Sequence, residues 1–189
     1  MIFISAGHNP KGIKTDSGAV GNGYKEADLA VEFRNLVTTK LDALKAKYVT
    51  DNDDERLAQY LERIKTGNAS VVLEFHFDAS DKPTATGTTS IVGSDADRFD
   101  NAFAKELVNA VSVVLGIKNR GVINESDSHR GRLGLMRESG IVSLLELCFI
   151  SNKSDLEAYH KNKQILACQI ALICVKYDAM IWTYSPLAT

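Results

Sequence analysis

One acidic side chain stands inside the most apolar stretch of the sequence. Glu146 lies within residues 141–150, which are rich in Ile, Val, Leu and Phe and are typical of a buried strand. An unpaired buried carboxylate is energetically costly, so this residue needs either a partner or a chemical task. A structural ion pair, a general base and a metal ligand are all compatible with its position.

Two histidines and a second glutamate stand where other elements begin or end. His8 follows the first apolar strand, Glu26 opens a helical segment after a glycine-rich loop, and His76 lies within another apolar strand. Two imidazoles and one carboxylate that leave a coordination position open form a catalytic zinc set. Glu146 would then act as the general base. The separations between these residues match no compact metal-binding motif.

Each of these residues also has an ordinary structural interpretation. His8 would be a loop residue, Glu26 a carboxylate that interacts with a helix N-terminus, and His76 a buried core residue. Glu74 lies two residues before His76 and therefore points to the same side of the strand. It would be a carboxylate that supports a metal-binding histidine, or simply the structural partner of that histidine.

The elements that must position these side chains alternate along the chain. Apolar runs predict strands over residues 1–6, 48–50, 70–77, 88–92, 120–123 and 141–150. Helical periodicity predicts helices over residues 24–47, 55–66, 95–115, 153–159 and 163–179. This alternation indicates an α/β fold with a mostly parallel central sheet of about six strands that is covered on both faces. In such sheets, sites lie beyond the carboxyl ends of the strands.

Composition narrows the class of protein. The chain has 189 residues, 44% hydrophobic residues and a formal net charge of −2. These values predict one domain with a hydrophobic core. The net charge does not indicate the basic surface that is typical of nucleic-acid-binding proteins. No run approaches the roughly 18 consecutive apolar residues that span a bilayer. We therefore expect no membrane insertion. We also expect the protein to be a monomer. Met1 leads directly into a strand, so we expect synthesis in the cytoplasm without a signal peptide.

Domain organisation is predicted to be simple. Residues 1–178 form one catalytic domain, and residues 179–189 form a C-terminal tail or the start of a linker. No internal repeat or linker interrupts the domain. Two further histidines, His129 and His160, are predicted to lie on the surface.

Four blocks of sequence occur in a specific order. They are Gly7-His8 with the glycine-rich loop that leads to Glu26, His76-Phe77-Asp78-Ala79-Ser80, Asn119-Arg120-Gly121-Val122, and the run from Leu144 through Glu146 to Asn152. In these blocks the chain resembles the zinc-dependent N-acetylmuramoyl-L-alanine amidases of the amidase-3 type. The resemblance extends over nearly the whole predicted domain.

The resemblance implies a function, a cofactor and roles for the candidate residues. It makes His8, Glu26 and His76 the ligands of one Zn²⁺ per chain, and Glu146 the catalytic acid/base. The substrate would be peptidoglycan, cleaved at the amide bond between N-acetylmuramic acid and L-alanine. The fold would be a three-layer αβα sandwich with a twisted sheet, in agreement with the pattern of elements.

Some features of the sequence depart from the family pattern or leave alternatives open. Asn9-Pro10 stands where two glycines usually follow the first histidine, which would reshape the mouth of the cleft. We expect a phage or prophage endolysin that acts on the bacterial wall after release. The alternatives are a zinc peptidase or amidase that acts on another amide, and a non-catalytic cell-wall-binding module.

Overall fold

The computed structural model describes residues 1–128 and 131–184. Its strands are β1 Ile2–Ala6, β2 Val20–Gly21, β3 Tyr24–Lys25, β4 Tyr48–Thr50, β5 Val71–Asp78, β6 Thr88–Val92, β7 Asn119–Asn124 and β8 Ile141–Phe149. Its helices are α1 Glu26–Ala43, α2 Leu57–Arg63, α3 Arg98–Leu115 and α4 Lys153–Tyr184. Two 3₁₀ turns, Glu125–Asp127 and Gly134–Arg137, lie between β7 and β8.

Six of the strands form one sheet, in the order β4-β1-β5-β8-β6-β7. β1, β4, β5 and β8 run in one direction, whereas β6 and β7 pair parallel with each other and β6 pairs antiparallel with β8. The carboxyl ends of β1, β5 and β8 therefore meet at one edge, where α/β folds bind ligands. The predicted sheet of about six mostly parallel strands is confirmed.

The two faces of the sheet are covered unequally. The long helices α1, α3 and α4 pack on one face and form the larger apolar core with it. The opposite face carries a smaller cluster, in which Tyr60 of α2 and Leu135 of the second 3₁₀ turn pack near Val72 of β5. Since side chains alternate along a strand, Glu74 and His76 lie on the same face as Val72. The candidate site therefore lies on the thinly covered face of a three-layer fold.

Local sequence signals account for the helix ends near the site. The Asp97 side chain caps α3 by accepting hydrogen bonds from the backbone N–H groups of Phe99 and Asp100. Gly116 ends α3 in the left-handed conformation, with φ 67°. α1 begins at Glu26, and the negative charge in its first turn complements the helix dipole. This start places the Glu26 carboxylate where the glycine-rich loop meets the sheet.

Three local expectations are wrong. The predicted helices 153–159 and 163–179 are one helix, because the polar residues between them lie on its exposed or half-buried side and no Gly or Pro interrupts it. The glycine-rich loop contains the short β2–β3 hairpin, in which Asn22 and Gly23 both have positive φ. α2 is shorter than the predicted helix 55–66.

The C-terminal boundary of the domain stays a prediction. α4 passes through residue 178 without a break and continues to Tyr184. Asp178 on this helix forms an ion pair with the N-terminal amino group of Met1. Residues 185–189 of the predicted tail, and His129, lie outside the described residues. His160 is half-buried, with its ring centroid 4.8 Å from that of Tyr24.

The sequence-based predictions underestimated the length and the apolar character of α4. Between Lys153 and Ile181 it is long and apolar enough to cross a membrane by these two measures alone, and it is the one such helix in the part of the chain that the structure describes. A long core helix of a soluble protein meets the same test, and α4 packs against α1 and α3. The expected lack of membrane insertion stays a prediction.

Candidate metal centre

Three side chains from separate elements converge at the carboxyl ends of the central strands. His8 lies two residues beyond β1, Glu26 is the first residue of α1, and His76 lies near the end of β5. His76 Nδ1 is 2.8 Å from Glu26 Oε1, and His8 Nε2 is 3.2 Å from the same oxygen. Each residue offers one ligand atom within 4.8 Å of the other two. The cluster could hold a metal ion.

The Glu26 carboxylate is fixed by backbone contacts as well as by the histidines. It is only 2% exposed. Its Oε1 accepts a hydrogen bond from the Phe77 N–H at 3.1 Å, and its Oε2 accepts one from the Ala19 N–H at 2.8 Å. The carboxylate therefore has a defined orientation, which an interaction with the helix dipole alone would not give.

Two glycines let the backbone approach the cluster closely. A Cβ atom at Gly7 would lie 2.2–2.5 Å from three atoms of the His76 ring. A Cβ atom at Gly18 would lie 2.5 Å from the His8 ring and 2.6 Å from Glu26 Oε2, and Gly18 also has φ +61°. Real Cβ contacts are essentially never this short. The space around the three side chains is therefore available only when both positions are glycine.

The Gly7→Ala variant tests this close approach. We expect the new methyl group to displace the His76 ring and to weaken Zn²⁺ binding at least tenfold, because metal ligands tolerate little displacement. The measurement is a zinc titration in competition with a chromophoric chelator. Gly67→Ala is the matched control, since a Cβ atom there would meet nothing within 4 Å. Equal zinc affinity in the two variants would contradict the expectation.

Each histidine contacts a second carboxylate through its other ring nitrogen. His8 Nδ1 lies 2.8 Å from Asp16 Oδ2, and His76 Nε2 lies 3.1 Å from Glu74 Oε1. The Ser5 hydroxyl donates to Glu74 Oε2 at 3.1 Å. Both imidazoles are thus held between Glu26 on one side and a separate carboxylate on the other.

The carboxylates make the site favourable for positive charge. Burial opposes a charge on His76, but hydrogen bonds to Glu26 and Glu74 raise its pKa to about 10. Burial likewise opposes a charge on Glu26, but its hydrogen bond with His76 and its close contact with His8 hold its pKa well below the usual range. The pKa of His8 is raised, because its contacts with Glu26 outweigh its burial. The negative charge of the carboxylates around the two histidines, rather than their protonation, is what would favour a bound cation.

Glu146 lies directly beside this cluster. In the β5–β8 pairing it is the register partner of His76, and on the other side of β8 it is paired with Thr89 of β6. Register partners on neighbouring parallel strands project to the same face of the sheet. Glu146 is 3% exposed and lines a cleft at this face. Glu146 therefore lies next to His76, on the same face of the sheet.

Two clefts flank the cluster. The first has a volume of roughly 470 Å³ and is lined by Asp78, Thr89, Ile91, Lys118, Asn119, Arg120, Ile123, Asp127, Ser128 and Glu146. The second has a volume of roughly 430 Å³ and is lined by Ala6, His8, Asn9, Lys14, Thr15, Asp16, Arg56, Leu57, Ala58, Glu74, His76, Leu133 and Leu144. Together they allow a substrate to extend on both sides of the candidate metal position.

Glu125 anchors the segment between β7 and β8 that borders both clefts. This buried carboxylate accepts hydrogen bonds from the Leu133 N–H at 2.9 Å and from the Ser94 hydroxyl at 3.1 Å. It also forms an ion pair with Arg137. Burial alone would raise the pKa of Glu125, but these hydrogen bonds lower it to about 2. The ionised carboxylate therefore holds the two 3₁₀ turns together.

The Glu125→Gln variant should lower thermal stability at pH 7 and should remove part of its acid dependence. A lowered folded-state pKa stabilises the protein above the unfolded value of about 4.3, and that contribution is lost as the pH falls towards about 2. Calorimetry at pH 7 and at pH 3 should show the larger difference from wild type at pH 7. Glu157→Gln is the control, since this exposed residue only faces Lys153 at 3.9 Å. A constant difference at both pH values would exclude the anchoring role.

The structure brings all four sequence-predicted residues to one place. It does not leave His8 as a free loop residue, and it gives Glu74 a hydrogen bond to His76. Neither Asp16 nor Ser5 had a predicted role. The alternation along β5 was a usable signal for Glu74, whereas the Asp16 contact depends on how the glycine-rich loop folds.

The chain is similar in sequence to known proteins of one family. The family model described as N-acetylmuramoyl-L-alanine amidase matches residues 2–173. The amidase LytC of Bacillus subtilis is 27% identical over 171 residues, which cover 86% of this chain and 32% of LytC. The uncharacterised protein YqiI of the same organism is 30% identical over 161 residues, covering 82% of this chain and 73% of YqiI. The chain thus spans about a third of the length of LytC.

Solved structures share the fold. The catalytic domain of the amidase CwlV from Bacillus (Paenibacillus) polymyxa superposes with a TM-score of 0.74 at 24% identity, covering 93% of this chain and 96% of that one. The CwlD amidase of Clostridioides difficile, in complex with the GerS lipoprotein, gives a TM-score of 0.76 at 19% identity, covering 95% and 98% of the two chains. With a family model that spans nearly all of its described residues, the chain belongs to the N-acetylmuramoyl-L-alanine amidases of the amidase-3 type.

Proposed function

We propose that this protein is a zinc-dependent peptidoglycan amidase that hydrolyses the bond between N-acetylmuramic acid and L-alanine. The observation that carries the proposal is the convergence of His8, Glu26 and His76 next to Glu146, with one cleft lined by the two histidines and another lined by Glu146. Two histidines and one carboxylate with an open position form a donor set of catalytic zinc sites. We assign one Zn²⁺ per chain to these three residues.

The three side chains fit a zinc ion on grounds of geometry. Tetrahedral zinc with ligand bonds of about 2.0–2.2 Å separates neighbouring donor atoms by roughly 3.3–3.6 Å. The 3.2 Å distance from Glu26 Oε1 to His8 Nε2 is near this range, and the 2.8 Å distance to His76 Nδ1 is a hydrogen-bond length that a bound metal would have to extend. Among the described residues, the buried His8 Nε2 has no hydrogen-bond partner of good geometry. A metal ion would satisfy this nitrogen.

The mechanism follows from the positions of the donors and the acid/base. When bound, zinc supplies Lewis acidity that activates water and polarises the amide carbonyl. Glu146 takes the proton of the attacking water and delivers it to the leaving nitrogen of L-alanine. Glu146 is paired with His76 in the sheet, so the distance between Glu146 and the proposed metal ligands is fixed by the strands. Because Glu146 must reach the leaving nitrogen, we place the stem peptide in the cleft that this residue lines.

Analysis of digested cell walls tests the reaction. We expect free stem peptides that begin with L-alanine, together with intact glycan strands. Cleaved cross-links with the muramyl–alanine bond intact would instead indicate a zinc peptidase acting on another amide. If zinc-loaded protein sedimented with walls but released nothing, the chain would be a wall-binding module.

The biological setting we propose is that of a phage or prophage endolysin. It is supported by the segment between Gly87 and Arg120, which consists of β6 and α3 and the start of β7. No additional helix in this described segment covers the cleft, and an uncovered cleft suits an enzyme that acts once, at lysis. A gene for a pore-forming membrane protein beside the coding sequence would support this setting. A neighbourhood of cell-division genes would oppose it without affecting the chemistry.

A further inference from the structure

Glu74 is a buried acid whose position has no obvious structural cause. It is 2% exposed and lies in the middle of β5, on the same face as His76. Its Oε1 contacts His76 Nε2 at 3.1 Å, and its Oε2 accepts a hydrogen bond from the Ser5 hydroxyl on the neighbouring strand β1. Burying a carboxylate without an Arg or Lys partner is costly, so this residue must be retained for another reason. In the described chain, the only ion pair recorded for Glu74 is the one with His76.

The two histidines present different nitrogens to the space between them. His8 directs Nε2 toward Glu26 and contacts Asp16 through Nδ1. His76 directs Nδ1 toward Glu26 and contacts Glu74 through Nε2. A neutral imidazole that binds a metal through one nitrogen carries its proton on the other, and an acceptor there fixes both the tautomer and the ring orientation.

We infer that Glu74 is a positioning residue, which accepts the Nε2–H of His76 and thereby fixes Nδ1 as the metal-binding nitrogen. The inference rests on the proposed metal site and goes beyond it in assigning opposite nitrogens to the two histidines. The Ser5 hydroxyl donates to the second Glu74 oxygen, which restrains the carboxylate in the orientation that faces the ring. The Asp16 carboxylate contacts the second ring nitrogen of His8 in the same way. The Asp16 side chain is 61% exposed, however, so water can replace it. Loss of Glu74 should therefore weaken metal binding more than loss of Asp16.

The assignment is tested first on the unmodified protein. Long-range ¹H–¹⁵N NMR spectra of the zinc-loaded chain distinguish a protonated, a neutral and a metal-bound ring nitrogen. We expect His76 to carry its proton on Nε2 and to bind zinc through Nδ1, with the reverse arrangement at His8. A proton on Nδ1 of His76, with Nε2 bound to zinc, would overturn the inference.

Substitution provides the second test. Glu74→Leu removes the acceptor, and we expect zinc affinity, measured against a chromophoric chelator, to fall by about 10–100-fold. Glu74→Gln keeps an acceptor oxygen at the same length and should recover part of that loss, and the like-for-like Asp16→Asn variant should lose less zinc affinity than Glu74→Gln. Asp155→Asn is the matched control, because this buried carboxylate contacts Thr86, Gly87 and Phe149 rather than a candidate ligand. It should lower thermal stability while leaving zinc affinity unchanged.

The outcomes separate this inference from the proposed reaction. If folded Glu74→Leu protein binds zinc within twofold of wild type, Glu74 is only a structural residue and the inference fails. If Glu74→Leu does not fold, the NMR assignment and the Glu74→Gln titration decide. Failure of the wild-type protein to release stem peptides would refute the proposed reaction, while the nitrogen assignment and the zinc affinities would still decide the role of Glu74.

Discussion

Replacement of Glu146 by glutamine is expected to lower the rate of peptidoglycan hydrolysis by roughly two to four orders of magnitude, the usual contribution of a general acid/base. Gln has nearly the same volume but cannot accept and return a proton at neutral pH. Because the proposed ligands are His8, Glu26 and His76, zinc should remain bound. The measurements are stem-peptide release from purified walls and metal content by elemental analysis.

The control for this variant is Glu106→Gln. Glu106 pairs with Lys176 at 2.7 Å, and its substitution should leave the rate unchanged. A Glu146→Gln protein that hydrolyses walls at a near-normal rate would remove Glu146 from the mechanism. A protein that loses both zinc and activity would show instead that Glu146 is a ligand, which is one of the roles that its buried position allows.

Alanine substitution of His8, Glu26 or His76 should abolish stoichiometric zinc binding and wall hydrolysis together. Each variant leaves only two protein ligands, and a catalytic zinc site needs three. Glu26→Ala should also destabilise the fold most, since it leaves the buried N–H group of Phe77 and the partly buried N–H group of Ala19 without their acceptor. Chelation of the wild-type protein should abolish activity, and added zinc should restore it.

His160→Ala is the matched control for the ligand variants. This histidine contacts the rings of Tyr24 and Tyr159 and lies outside the cluster. The variant should keep one zinc per chain. Active wild-type protein that contained no transition metal would remove the metal-assisted mechanism entirely, whereas one zinc per chain in the His8→Ala, Glu26→Ala and His76→Ala proteins would place the metal elsewhere.

The overall architecture could be predicted because each strand and helix has a local cause. Apolar runs and helical periodicity located the six strands of the main sheet, and the end of α3 follows from Gly116. The strand order could not be predicted in the same way. The pairing of β8 with both β5 and β6 depends on contacts between distant parts of the chain, and no single segment encodes them.

The sequence predicted which residues form the candidate site, but it did not predict how they are arranged. The residue types and the family resemblance selected His8, Glu26, His76 and Glu146. The direct register between His76 and Glu146 emerges only from the sheet. The β2–β3 hairpin could have been found, since Asn22-Gly23 is a strong signal for a two-residue turn, but strands of two residues carry too little hydrophobic pattern to stand out.

The position of β8 has a consequence for how the protein folds during synthesis. β8 is synthesised after the other five strands of this sheet, yet it lies between β5 and β6 and joins the two halves of the sheet. The proposed zinc ligands are complete once β5 has been made, but the sheet cannot close until β8 has inserted. Such non-local pairings fold slowly. A nascent chain that ends before Ile141 would therefore leave an edge of β5 and an edge of β6 unpaired, and unpaired edges favour aggregation.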